Sequence, residues 1–324
     1  ARPLTDLRLS VTDRCNFRCT YCMPRTKVST MVEPTSRARL LNFDELTEVA
    51  AAFVALGVKK LRVTGGEPLV RRDLASLIAR LARLDVLDVC LTTNGSLLAA
   101  QAQALSSAGL SRATVSLDAI DEPTFRRMTD SQATLSSVLD GIDAARKAGL
   151  NPVKINMVVQ RGVNDHCVIP MAAWARRERL ELRYIEYMDV GCTNGWRRSE
   201  VLTEQEIRAR GHSVWPIEAC EPDAPHGTAQ RFRYSDGGGE IGIIASITKP
   251  FCGDCSRARV SSVGEFYPCL FATMGADLAS PLRKGEDLRP IIATLWQRRN
   301  DRYSELRAVM PSSRPRPEMS AIGG

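Results

Sequence analysis

The sequence predicts an α/β fold on a parallel sheet, either curled into a barrel-like ring or left open. Three observations carry this expectation. A grammar of amphipathic helix, glycine stop and short strand recurs as far as Tyr187, about six candidate strands alternate with helices, and the grammar then breaks. At 324 residues the chain exceeds what one small core saturates, so a main α/β unit with a smaller appendage is expected.

The elements follow in chain order. The first candidate strand is Leu7–Val11. "NFDE" (Asn42 to Glu45) reads as an N-cap with a glutamate three residues later, opening an apolar-periodic helix that Gly57 ends. Strand Lys59–Val63 comes next, then Val89–Thr93. Gly109 and Gly149 repeat the stop ahead of strands Ala113–Leu117 and Val153–Val159, and Leu182–Tyr187 is the sixth. Beyond it, Gln230 to Thr248 reads as a β-hairpin turning at Gly237–Gly239. A domain change between 190 and 230 is therefore expected, dividing the chain into 1–190 and 191–324. The terminal "PSSRPRPEMSAIGG" is rich in proline and serine and predicts no regular structure.

Composition narrows the function classes. Hydrophobic residues make up 44% and charged residues 25%, and the longest apolar runs fall well short of a membrane span, so no membrane partner is expected. Nothing at the start resembles a secretory signal, and ten cysteines then predict a reducing, cytoplasmic setting in which clustered thiols bind metal or do redox chemistry. The net charge of +7 is carried mostly by arginine. Those arginines are scattered over the βα units and not gathered with aromatics into a stripe, which disfavours a nucleic-acid module. Three histidines, His166, His212 and His226, leave little scope for histidine acid–base catalysis.

Strand polarity is informative. A parallel sheet covered on both faces should be apolar throughout, yet these strands contain Arg8, Lys60, Arg62, Thr64, Lys154, Asn156, Arg183 and Glu186. Lys60, Arg62 and Thr64, and Lys154 with Asn156, lie two apart and so share a face. If that face lines a barrel interior, several cations converge on one cavity and ask for a polyanionic small molecule such as a nucleoside triphosphate. If the sheet is uncovered, the same residues face solvent.

Two cysteine groups stand out. "DRCNFRCTYC" places Cys15, Cys19 and Cys22 at intervals of four and three. Four thiols in two pairs would suggest zinc, and a lone pair would suggest thioredoxin-like chemistry. Three suggest a [4Fe–4S] cluster in which one iron lacks a protein ligand and stays open to a small molecule. The second group is Cys252, Cys255 and Cys269, again three, with Arg257 and Arg259 beside it. It fits another three-thiolate cluster, with a zinc knuckle completed by a remote ligand such as Cys220 as the alternative. "TGGEPLVRRDL" (Thr64 to Leu74) follows the second strand, and its glycines allow close backbone approach to a ligand.

The cysteine triplet with its aromatic before the last Cys resembles the signature of the radical S-adenosylmethionine (SAM) superfamily, and the Gly-Gly-Glu-Pro turn resembles that superfamily's SAM-binding motif. Together with "LTTNG", "VSLDA", "EYMDVGCTNGW", "CSRARVSSVGEFYPCLF", "LWQRRNDRYSE" and the terminal Gly323–Gly324, nearly the whole chain resembles the GTP 3′,8-cyclase family, also called molybdenum cofactor biosynthesis protein A. The resemblance implies an incomplete (β/α)6 TIM-type barrel closed by a C-terminal segment with the hairpin and the second cluster site.

It implies a radical SAM lyase with two [4Fe–4S] clusters and SAM as cofactors, GTP as substrate, an external electron donor and room for a homodimer. Cys15, Cys19 and Cys22 would hold the SAM cluster, and Tyr21, Gly65, Gly66, Glu67, Ser116 and Met188 would form the SAM site. Cys252, Cys255 and Cys269 would hold the auxiliary cluster. Arg8, Lys60, Arg62, Thr92, Lys154, Arg183, Arg257 and Arg259 would contact GTP, with Arg8, Gly323 and Gly324 acting in catalysis. In the family a 5′-deoxyadenosyl radical takes the ribose 3′ hydrogen and the 3′ carbon joins C8 of guanine. Another radical SAM enzyme with one auxiliary cluster, such as a peptide-modifying enzyme, is the competing reading. Cys90, Cys167, Cys192 and Cys220 are expected to be ordinary thiols, with Cys192 close enough to the Met188 segment to approach the cavity.

Overall fold

The computed structural model describes residues 2–25, 35–221, 227–307 and 316–323. Six strands alternate with helices: β1 (Asp6–Ser10), α1 (Phe43–Ala55), β2 (Lys60–Thr64), α2 (Leu74–Leu81), β3 (Asp88–Thr93), α3 (Ala102–Ser107), β4 (Arg112–Ser116), α4 (Glu122–Thr129), α5 (Leu135–Lys147), β5 (Val153–Val159), α6 (Val168–Glu178) and β6 (Glu181–Glu186). Each observed strand falls within one residue of its expected bounds at either end. All are parallel, in the order β1 to β6.

Local chemistry explains the boundaries. Asn42 Oδ1 accepts from the Glu45 amide at 2.9 Å while the Glu45 carboxylate accepts from the Asn42 amide at 2.7 Å, the reciprocal cap expected for α1. Gly57, Gly109 and Gly149 stop helices with φ of +106°, +100° and +83°, a backbone region costly for any residue with a Cβ. Val49, Ala50 and Phe53 on α1 and Leu77, Ile78 and Leu81 on α2 are fully covered against Leu7, Leu9, Leu61 and Val63 of the sheet.

The remaining elements are α7 (Glu204–Val214), β7 (Ile217–Cys220), β8 (Gln230–Tyr234), β9 (Glu240–Ile244), β10 (Arg257–Val260), β11 (Glu265–Tyr267), β12 (Ala276–Asp277), α8 (Ala279–Arg283), α9 (Leu288–Gln297), α10 (Tyr303–Leu306) and α11 (Met319–Ile322). The hairpin is present as antiparallel β8–β9, with β7 added to it. The later strands do not form a separate sheet. β9 pairs in parallel with β6 and β10 in parallel with β1, so both edges of the partial barrel are extended by the C-terminal half within one twelve-stranded sheet. Among the described residues no strand pair joins the ends of this sheet, which is therefore an incomplete barrel.

Two expectations are corrected. Glu186 borders the cavity but its carboxylate is not open to a ligand: it is fully covered and accepts from the amides of Glu204, Ile247 and Thr248 at 2.8–2.9 Å and from the Thr248 hydroxyl at 2.5 Å, fastening the C-terminal half to β6. The tail is not wholly irregular, since Met319–Ile322 form one helical turn with Ile322 fully buried.

Candidate functional site

One cavity of about 530 Å³ opens inside the partial barrel, and all six clustered cysteines line it. Cys15, Cys19 and Cys22 sit on the loop after β1. That loop is stitched to the end of α4 by backbone bonds from Arg18 N to Thr129 O at 2.9 Å and from Thr20 N to Met128 O at 3.1 Å. The Tyr21 hydroxyl donates to Asp118 Oδ2 at 2.8 Å, while Asp118 Oδ1 accepts from the Val158 amide at 2.8 Å. Burial lifts the Asp118 carboxyl to about 6. Burial likewise raises all three thiols, Cys15 to about 11. Such thiols become thiolates when a metal supplies the missing positive charge, which is the behaviour of a metal donor set and not of a solvent-exposed nucleophile.

Spacing separates a cluster from a single ion. Tetrahedral zinc brings its sulfurs within about 3.8 Å of one another. Among the described residues Asp121, His166 and Cys167 are the one trio whose ligand atoms all lie within 4.8 Å of one another. Both cysteine triplets suit a polynuclear iron–sulfur group. Cys220, the alternative fourth zinc ligand, lies on β7 at the far edge of the sheet from β10 and β11 and does not line the cavity. The Asp121 trio is a capping network: Asp121 accepts from the Thr124 amide and the Cys167 thiol, and His166 Nε2 lies 3.1 Å from the Thr124 hydroxyl.

At the same end Gly65, Gly66, Ser116 and Met188 line the cavity. A Cβ on Gly66 would collide with the Arg14 carbonyl, so the turn packs directly on the cysteine loop. Glu67 is placed differently. It does not line the cavity; its carboxylate accepts from the Leu69 amide at 2.9 Å, the Thr93 hydroxyl at 2.7 Å and the Asn94 amide at 2.7 Å. Burial raises it to about 7 against those donors. It ties the loops after β2 and β3 together.

The cations form rungs across the sheet. Arg259, Arg8 and Arg62 are in register on β10, β1 and β2, and Thr92, Thr114 and Lys154 on β3, β4 and β5. All line the cavity, as do Lys60, Arg183 and Arg257. Lys60 lies 3.6 Å from Asp6, and Lys154 and Arg183 each lie 2.6 Å from Glu181. Arg62 donates to the hydroxyls of Thr92 and Thr114 at 3.0 and 3.2 Å. Arg8, Arg62, Arg257 and Arg259 have no carboxylate within 4.0 Å among the described residues. Burial, then Arg259, Arg62 and Arg257, hold Arg8 well below the usual guanidinium value, and burial with Arg257 brings Arg259 down to about 10. Arginines this covered and without a carboxylate partner suit an anionic ligand.

The second triplet occupies the far end. Arg299, almost wholly buried, donates to Cys255 Sγ at 3.2 Å and to Cys255 O at 2.8 Å, and Arg257 reaches the same sulfur at 3.4 Å. Burial alone would raise Cys255, but Arg257 and Arg299 overcome it and hold the thiol at about 6. Cys269 rises to about 12 through burial and Asp301. The tail returns here. Arg259 donates to the Gly323 carbonyl, whereas Met319 and Ser320 line the cavity beside Tyr21 and Cys22 at the first triplet. Gly324 lies outside the described residues. Glu318 anchors the tail by accepting from the Cys192 amide and thiol at 3.1 and 3.2 Å and from the Thr193 hydroxyl at 3.0 Å, so Cys192 is engaged there and does not line the cavity. Asp118, Arg112, Arg299 and Glu318 were not singled out from sequence, because each acts through a partner tens or hundreds of positions away.

Comparison with known proteins agrees with this geometry. Residues 9–175 match the radical SAM superfamily, and residues 180–305 match the Molybdenum Cofactor Synthesis C family. Proteins named GTP 3′,8-cyclase are similar over nearly the whole chain. That of Acidothermus cellulolyticus is 54% identical over 316 residues, covering 95% of this chain and 87% of the relative. Those of Xanthomonas axonopodis pv. citri and Staphylococcus aureus are 50% and 45% identical, each covering 100% of this chain and 97% of the relative. Among solved structures, Streptococcus suis SuiB bound to S-adenosylmethionine superposes with a TM-score of 0.67 at 12% identity over 96% of this chain and 69% of that one. Native anSMEcpe with bound AdoMet gives 0.54 at 16% over 65% and 60%. At these identities the structural likeness speaks to fold alone.

Proposed function

We propose a function for a chain that belongs to the GTP 3′,8-cyclase family of the radical SAM superfamily: it is an enzyme that binds SAM and an iron–sulfur cluster and cyclises GTP in molybdenum cofactor biosynthesis. The product is (8S)-3′,8-cyclo-7,8-dihydroguanosine 5′-triphosphate, an isomer of GTP, formed in a lyase-class reaction. One electron to cleave SAM and one electron with a proton to complete the product come from an external one-electron donor.

A single observation carries this reading: two cysteine triplets and an arginine cluster without carboxylate partners line the same cavity. Cys15, Cys19 and Cys22 would hold the cluster that, when bound, would supply reductive cleavage of SAM, and Cys252, Cys255 and Cys269 would hold a second [4Fe–4S] cluster. Tyr21, fixed by Asp118, joins Gly66, Ser116 and Met188 in holding SAM. Arg8, Lys60, Arg62, Thr92, Lys154 and Arg183 take the nucleotide, and Arg8 also acts in catalysis. Arg257 and Arg259 orient it against the second triplet. Gly323 occupies one donor of Arg259, so the tail sets where that guanidinium points, and Gly323 and Gly324 act in catalysis.

Anaerobic incubation with reductant and SAM tests this. Release of 5′-deoxyadenosine that requires GTP and is not supported by ATP agrees with it; SAM cleavage indifferent to nucleotide would move the chain to the peptide-modifying reading.

A further inference from the structure

Asn156 lies on β5 in register between Ser116 of β4 and Arg183 of β6, two residues beyond Lys154 and therefore on the same face, and it lines the cavity. Its backbone carbonyl is taken by the Leu117 amide at 2.9 Å, but its side-chain Oδ1 is buried and has no hydrogen-bond partner among the described residues. Buried acceptors are rarely left unpaired in native structures, so such an atom points to a ligand. Neighbouring groups do not supply the donor. Arg183 on the next strand is engaged by Glu181 at 2.6 Å, and Lys154 is engaged by the same carboxylate. The terminal torsion of asparagine is soft, so turning the oxygen toward a donor in the cavity costs little.

Resting on the function proposed above, the rung of Asn156 is the place where the two small molecules meet. Ser116 on one side belongs to the SAM end and Arg183 on the other to the nucleotide. The ribose of GTP has to present its 3′ carbon to SAM while its base reaches toward the second triplet. We propose that Asn156 accepts a hydrogen bond from the 2′-hydroxyl of the GTP ribose and so distinguishes ribonucleotide from 2′-deoxyribonucleotide. A neutral amide suits this place because a carboxylate would set a negative charge against the triphosphate, whereas an amide oxygen accepts the hydroxyl without that repulsion.

The test is anaerobic equilibrium dialysis of cluster-loaded enzyme with SAM and either GTP or 2′-deoxy-GTP. The wild type should bind GTP about 10–100-fold more tightly, the size of one lost buried hydrogen bond. Asn156→Ala should bind both nucleotides alike, near the wild-type affinity for 2′-deoxy-GTP. Asn156→Leu, which keeps the volume, gives the same test if the alanine variant does not load its clusters. A wild type that does not discriminate, or a variant that keeps the full preference, overturns the assignment. So does a variant that weakens SAM alone, which would give the acceptor to the adenosyl ribose. Failure of the underlying function looks different: the wild type would bind ATP as well as GTP, or neither.

Discussion

Replacing Arg8 with methionine should stabilise the nucleotide-free protein while weakening its hold on GTP. Arg8 stands in register between Arg259 and Arg62 on adjacent strands, with Arg257 also near and Asp6 the carboxylate that partly offsets them. Unit charges separated by about 6 Å at an effective dielectric of about 20 repel by roughly 3 kcal/mol. Two such neighbours give about 5 kcal/mol. Halving this for solvent reaching a half-buried group leaves about 2–3 kcal/mol, while methionine retains most of the stem's packing. The melting temperature of the nucleotide-free, cluster-loaded variant should then rise by about 3–4 °C. GTP affinity should fall about 10–100-fold, the size expected for a charge-assisted bond of about 1.5–3 kcal/mol. Anaerobic melts with and without GTP read both effects, and added salt should raise the wild type more than the variant. A variant that melts lower without nucleotide, or that binds GTP unchanged, refutes the reasoning.

Three further outcomes follow from individual contacts. In cluster-free protein at pH 7, iodoacetamide should label Cys255 well before Cys15 or Cys269, since their thiols lie at about 6, 11 and 12, and Arg299→Met should slow labelling of Cys255; peptide mass spectrometry reads the order. Glu67 is raised from 4.5 to about 7, so the folded state holds its proton longer than the unfolded one, and wild-type stability should fall as pH rises from about 4.5 to 7. Glu67→Gln lacks this slope, so thermal melts across that window should show the cost of the substitution shrinking as pH rises. Glu318→Ala removes three hydrogen bonds at the tail's anchor and should speed amide exchange in 316–323 while leaving exchange in β1–β6 unchanged.

Much of the barrel was legible because its signals are local. Caps, glycine stops and apolar periodicity lie within a dozen residues of the elements they define, and the six strands and the β8–β9 hairpin were found from them. The cations were legible for a related reason: Lys60 with Arg62, and Lys154 with Asn156, show a period of two whatever the sheet does. That period could not decide which side is covered, and the burial of Arg62 and Lys154 decides it in favour of the interior. Placement of β9 and β10 beside β6 and β1 was not legible, since strand pairing across long separations leaves no local mark. Glu186 misled for the opposite reason, its position in a polar-bearing strand matching the cations while its carboxylate faces the amides of a later segment. Asp118 and Arg299 carry no pattern of their own; they matter through Tyr21 and Cys255.

The central claim is that GTP sits with its ribose facing SAM between the two triplets, and isotope transfer tests it most directly. With GTP deuterated at the ribose 3′ position, the account predicts 5′-deoxyadenosine carrying one deuterium per turnover and a cyclised nucleotide lacking it. Unlabelled 5′-deoxyadenosine released alongside GTP that keeps its deuterium would contradict it.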